Sequence, residues 1–265
     1  MATQRLITRL REHDWLAAAI ELAIVVVGIL IALQVSNWNQ DRLDSARADR
    51  YYVRLHADLT SDIAAIDDAR AFWSRVTKFG ESAMAFSEHR KRVEDSNWKT
   101  LLAFFQASQL YPFELADTTF VEMRTSGALT LVADEGLRKR LADYYRLSGN
   151  GVRSDILRQN PVYRMQIRGL TPWTVQQYIW NHCFRQGEGA QQVLLDCPAP
   201  ISEQESAAIL DSYQHDPSLL PNLRTWMSMI QVADIIVTGI RSDTRKLIAD
   251  VDAARGMRVT AAAMP

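Results

Sequence analysis

The chain has 265 residues, 48% of them hydrophobic and 23% charged, and carries a net charge of −1. That length supports one large or two small domains with a real core, and the near-neutral balance argues against a nucleic-acid partner, which would want a strongly basic face. With only 11 Gly and 8 Pro, extensive disorder and Gly-rich repeat folds are disfavoured.

In chain order, residues 1–14 form a short tail holding Arg5, Arg9 and Arg11. From Leu16 to Leu33 there are eighteen residues and one charge, Glu21. A run of that length and composition reads as a transmembrane helix. Trp15 and Trp38 bracket it, about 34 Å apart at helical rise, a spacing that matches a bilayer core with its interfaces. Indole rings favour that boundary because one edge is apolar and the N–H wants water, so both are expected as membrane-interface anchors. A buried soluble helix has no reason for a tryptophan at each end. A cleaved signal would need small residues at −3 and −1 after the apolar run, and Gln34-Val35-Ser36-Asn37-Trp38 supplies no such pattern. The expectation is a retained anchor over residues 15–38, with the lipid bilayer as first partner.

Orientation rests on a tie. Arg42, Arg47 and Arg50 on the far side equal the three arginines of the tail. The N-terminal amine, and the neutralising Asp41, Asp44 and Asp49, tip the balance toward a cytoplasmic N-terminus. The remainder, residues 39–265, is then expected outside the cytoplasm.

Glu21 lies about 7–9 Å inside the apolar run, where an ionised carboxylate is costly. Ala17, Glu21, Gly28 and Ala32 share one helical stripe, and Gly28-x-x-x-Ala32 is a small-xxx-small pair that admits a second helix closely. The stripe is expected to face a second copy or a partner helix. The bland alternative is an acid tolerated near the interface, with Gly28 there by chance.

Beyond the membrane the fold class reads as all-α, an elongated bundle rooted on the membrane helix, with no clear alternating strand pattern. A stripe at Leu55, Leu59, Ile63, Ile66 and Trp73 marks the continuing helix. An exposed connection is expected over Ser87–Ser96. Thr119–Glu122 and Ser202–Glu205 have the spacing of capping boxes, Gly127 is a stop, and Asp134 can cap a helix reaching toward Gln159, which Pro161 ends or kinks. Leu137, Leu141, Tyr144 and Tyr145 give that helix its apolar side, and Thr171-Pro172 opens another. The irregular stretch Arg185–Pro200 is the expected functional loop.

The last helix carries Leu219, Leu223, Trp226, Ile230, Ala233, Val237, Ile240, Thr244, Leu247, Val251 and Ala254 at alternating spacings of three and four. That heptad seam implies long, nearly parallel packing against other helices. Gln231 and Asp234 interrupt its apolar stretch, so it is not expected to be a second span.

Cys183 and Cys197 enclose a fifteen-residue segment, and outside the cytoplasm such a pair would be oxidised. Two free thiols are the alternative. Catalytic and cofactor motifs are absent: no G-x-S-x-G, C-x-x-C, H-E-x-x-H, phosphate-binding glycine loop or EF-hand. The five histidines are scattered, and His182 beside Cys183 is weak evidence for a metal. No cofactor, metal or catalytic residue is expected.

Glu21, Val26, Val27, Gly28, Ile29, Leu30, Ile31, Ala32, Leu33, Gln34, Asn37, Trp38 and Asn39 resemble the N-terminal membrane helix of a bacterial family of unknown function, in which a glutamate and a valine pair precede G-I-L-I-A-L-Q and N-N-W-N-E. Ser36 and Gln40 depart from it. A second block, Thr118–Tyr145, resembles the same family through Ser126-Gly127, Leu129, Leu131, Leu137, Leu141 and Tyr144-Tyr145. The resemblance implies a single-pass bacterial membrane protein with a helical domain, and no activity. The expected role is an interaction or scaffold protein, self-associating or bound to a membrane partner. A ligand-sensing bundle that signals through a partner is the second expectation.

Overall fold

The computed structural model describes residues 2–111, 114–149, 160–187 and 191–262. In chain order the elements are α1 (Ala2–His89), α2 (Asn97–Gln106), α3 (Thr118–Thr125), a 3-10 turn (Ala128–Leu131), α4 (Glu135–Tyr144) with one wider turn after it (Tyr145–Gly149), α5 (Val162–Leu170), α6 (Trp173–His182), β1 (Phe184–Gln186), β2 (Gln192–Leu194), α7 (Glu203–His215) and α8 (Leu219–Ala262). The fold is an all-α bundle entered by a long apolar helix.

Two helices set the frame. α1 runs for 88 residues without a break, and α8 for 44. From Ala19 to Leu43 every residue of α1 is exposed, and the first buried one is Ala48. From there Ala48, Tyr52, Leu55, Leu59, Asp62, Ile66, Ala69, Trp73, Val76, Gly80 and Ala83 are buried at alternating spacings of four and three. All eleven heptad positions of α8, Leu219 to Ala254, are buried as their spacing implies. The two seams pack against each other because a period of 3.5 keeps one apolar line facing the partner along the whole length.

The pair is antiparallel. Asp49 binds Arg255 at 2.7 Å, His56 lies 2.8 Å from Asp252, Asp67 binds Arg241 at 2.7 Å, Arg70 binds Asp234 at 2.7 Å and Glu88 binds Arg224 at 2.7 Å. Such surface contacts are each worth at most about 1 kcal/mol. They fix direction and register; the buried seams supply the strength.

One position of the expected α1 stripe is corrected. Ile63 is only half-buried, and Asp62 occupies the seam. Because Leu55 to Leu59 is a step of four, strict alternation takes three to residue 62 and then four to Ile66, and so misses residue 63.

The remaining helices pack around this hairpin. α2 is buried on all sides from Trp98 to Gln106 except at Lys99, and Ser96 caps it through Lys99 N–H. The capping box expected at Thr119–Glu122 does not form. The helix begins two residues earlier than that box requires, at Thr118 after Asp117; Thr119 N–H bonds to Asp58 at 3.2 Å, and Glu122 is taken by Tyr51 and Arg54 of α1. Long-range partners with charge outcompete a local cap here. Gly127 stops α3 in the left-handed conformation at φ 73°, where a side chain would strain. Asp134 caps α4 through Leu137 N–H, but α4 itself ends at Tyr144, and residues 150–159 of the expected extension lie outside the described residues. Pro161 precedes the first turn of α5, Pro172 that of α6, and the Ser202–Glu205 box forms with both of its bonds.

The stretch expected to be irregular contains a two-stranded antiparallel hairpin, with Phe184 opposite Leu194 and Gln186 opposite Gln192. Strands of three residues are too short to show a period-two pattern. The 87–96 connection is a loop from Arg90 onward, as expected.

Candidate functional site

The apolar half of α1 brings its stripe residues into line. At 100° per residue, Ala17, Glu21, Gly28 and Ala32 fall within an arc of about 60°. Glu21, Gly28 and Ala32 are all exposed, and Ala17 lies on α1 outside the residues whose side chains are described. A Cβ placed on Gly28 would meet nothing within 4 Å, so the fold of this chain has no packing need for glycine there. Trp15 and Trp38 are both exposed at the two ends of the run. None of the apolar window is buried within the chain. The helix is therefore long and apolar enough to cross a membrane, and Glu21, Gly28 and Ala32 of its stripe are not covered by the described residues of the bundle.

The two cysteines are brought together. Cys183 and Cys197 form a disulfide with Cα atoms 5.2 Å apart, closing the hairpin. The bridge is tied to α2 on both sides: Trp98 Nε1 donates to the Cys197 carbonyl at 2.9 Å, and Gln106 Nε2 to the Cys183 carbonyl at 3.0 Å. His182 does not turn toward the sulfurs; its ring stacks on Tyr178, 4.2 Å between centroids.

A buried polar cluster lies beyond the sequence-level expectation. Asp62 is 1% exposed. Its Oδ1 accepts from Ala116 N–H at 2.7 Å and its Oδ2 from the Tyr144 hydroxyl at 2.8 Å. Thr244 Oγ1 lies 3.0 Å from the same hydroxyl and 2.8 Å from the Ile240 carbonyl. Burial raises the Asp62 carboxyl to about 6, and the charges of Asp58 and Asp117 push the same way, while its two hydrogen bonds oppose them. Burial also raises the Tyr144 and Tyr145 hydroxyls well above the usual tyrosine range. Tyr145, stacked on Phe120 at 4.5 Å, keeps a buried hydroxyl with no partner among the described residues. The signal for this cluster was the heptad phase of residue 62 opposite Thr244.

A second cluster had no local signal. The Arg168 guanidinium is sandwiched between Phe105, 3.9 Å from the ring centroid, and Trp180, at 4.7 Å. Burial, and the neighbouring Arg164 charge, lower it to about 9. Among the described residues it meets no carboxylate; it donates to Gln109 Oε1 at 3.3 Å, and Gln109 donates to Gln106 at 3.1 Å. This chain of amides ends at the Cys183 carbonyl, so it acts as a brace between α5, α2 and the disulfide.

Comparison of the chain with protein-family models, with curated proteins and with solved structures finds no match.

Proposed function

We propose that the protein is a single-pass protein of the bacterial inner membrane, held in lipid by residues 15–38, whose bundle stands outside the cytoplasm as an interaction or scaffold module. It self-associates or joins a membrane complex through the Ala17, Glu21, Gly28 and Ala32 face. The observation that carries this reading is the exposure of every residue from Ala19 to Leu43 on a helix that continues unbroken into the core. An apolar surface of that length is stable only in lipid or against another apolar helix.

Three further features support it. Small residues let helix backbones approach in the membrane, where close packing and not hydrophobicity drives association. The Cys183–Cys197 bridge suits an oxidising compartment. The resemblance of Glu21–Asn39 to a bacterial membrane family points to the same setting.

The test is oxidative crosslinking of the full chain in its own membranes, with a cysteine placed at Gly28 and, as control, at Val26 on the opposite side of the helix. The expected result is a covalent dimer or partner adduct from Gly28→Cys and none from Val26→Cys. No adduct at position 28, or equal yields at both positions, would refute the stripe as an interface. Extraction of the chain by alkaline carbonate would refute the anchor itself.

A further inference from the structure

At the end of the bundle away from the apolar run, a cleft of about 310 Å³ opens between α1, the 90–96 connection, the start of α2 and β2. That volume lies at the lower end of the range of small-molecule sites. Its floor is apolar: Phe79 is half-buried, and Leu102 and Leu194 are buried. Its rim is charged, with Arg75, Lys78 and Lys99 against Glu94 and Asp196.

The charges do not cancel. Lys99 takes both carboxylates, binding Glu94 directly and Asp196 at 3.5 Å. Arg75 and Lys78, three residues apart on α1, form no ion pair with any described residue. Two cations with no ion-pair partner among the described residues thus stand over an apolar floor. The smaller cleft between α4 and α8, about 230 Å³, differs in this respect, since its Arg140 is already bound to Asp250 at 2.8 Å.

The wall opposite α1 is held in an uncommon backbone state. Arg90, Glu94 and Asp95 all have positive φ, at 57°, 47° and 56°. Such residues persist only where their surroundings over-determine them. Here Val93 N–H bonds to Thr100 Oγ1 at 2.9 Å, and Ser96 Oγ to Glu203 at 2.6 Å. On the other side the disulfide fixes Leu194 and Asp196. The cleft is therefore built rigidly from three directions.

We propose that this cleft binds a small anion with an apolar body, a carboxylate or phosphate monoester on a short chain or single ring. Arg75 and Lys78 hold the anionic group, and Phe79, Leu102 and Leu194 lie beneath the apolar part. The occupant comes from solution and not from the bilayer, because Arg75 stands about 55 Å along α1 from Trp38. This inference is independent of the membrane interface proposed above and survives its failure.

The test uses the full chain in phosphatidylcholine nanodiscs, titrated calorimetrically with benzoate, hexanoate and phenyl phosphate, and in parallel with benzyl alcohol and hexylamine. Protein-free nanodiscs are the blank. At least one anion should bind, with its uncharged and cationic counterparts weaker by roughly tenfold or more, the worth of a hydrogen bond to a charged group. The double variant Arg75→Gln/Lys78→Gln should lose the binding, while Arg245→Gln, on an exposed position of α8, should keep it. Failure of all three anions to bind, equal binding of benzoate and benzyl alcohol, or undiminished binding by the double variant would overturn the proposal. The charge preference is read on the unmodified protein, so it stands even if the double variant misfolds.

Discussion

Asp62 and Thr244, the polar members of two otherwise apolar seams, meet at one level of the bundle through the Tyr144 hydroxyl, 2.8 Å from one and 3.0 Å from the other. The three side chains come from α1, α8 and α4, so a single hydrogen-bonded layer fixes how three helices sit. A polar layer of this kind specifies register at a cost in stability. Sliding α8 by one heptad would put Val237 or Val251 in place of Thr244 and take its hydrogen bond from the Tyr144 hydroxyl.

That layer makes stability depend on pH. The Asp62 carboxyl is raised from 3.8 to about 6 in the folded protein, chiefly by burial. The folded state thus holds this proton more tightly than the unfolded chain, so the stabilisation is fully present below pH 4 and is lost as pH rises through about 6. The cost of the ionised form is about 3 kcal/mol at 1.36 kcal/mol per pH unit. Asp62→Asn can keep the layer, since its amide can donate to Tyr144, Tyr144 to Thr244 and Thr244 to the Ile240 carbonyl. Urea unfolding at pH 4.5 and pH 7.5 should show the variant gaining on the parent at the higher pH. Parallel behaviour of the two proteins across that range would show that Asp62 does not hold its proton in the fold.

Gly80 sits in the α1 seam against Met227, and a methyl at that position would collide with the thioether sulfur. Gly80→Ala gains about 1 kcal/mol in helix propensity but overpacks the seam, which costs about 1–3 kcal/mol. Net destabilisation of up to about 2 kcal/mol is expected. Met227→Ala is itself costly, about 2–5 kcal/mol, but Gly80→Ala should cost less in that background than in the parent, because the truncation opens the space the new methyl needs. A denaturant series on the four proteins of the cycle measures the coupling. Additive effects would mean the two residues do not compete for the same volume.

The bridge between Cys183 and Cys197 spans a sequence separation of 14. The chain-entropy model assigns a closed loop of this size about 3 kcal/mol. Replacing both cysteines by serine should lower stability by about that much while leaving far-ultraviolet circular dichroism nearly unchanged, since Trp98 and Gln106 still hold the two carbonyls. Alkylation of the denatured, unreduced protein should label neither cysteine. Labelling of both would show free thiols, and would remove one support for an oxidising compartment.

What the sequence disclosed follows physical range. The α8 seam was legible because eleven positions repeat one phase, and all eleven are buried. The apolar run, its bracketing tryptophans, the Ser202 box and the Gly127 stop were legible because each depends on neighbours within a turn or two. Asp62 was missed because an aliphatic neighbour, Ile63, fitted a looser stripe, and only the partner seam settles the phase. Glu122 was misread for the opposite reason: its local cap was available, but Tyr51 and Arg54 lie across the bundle, unseen in the local pattern. The Arg168 brace and the charged cleft at the tip assemble side chains from four or more segments, and no short window contains them.

The unbroken course of α1 has a mechanical corollary. Between Trp38 and Ala48 lie ten helical steps whose side chains are all exposed except the half-buried Asp44, a shaft joining the apolar run to the part that is clamped. A shaft of that kind transmits torsion: turning the lower end turns the upper by the same angle. One residue inserted in it would swing the bundle through about 100° around its axis, whereas seven would return it to within about 20° of the starting azimuth. The face that the bundle shows to its surroundings is thereby geared to the face of the apolar run that carries Glu21 and Gly28.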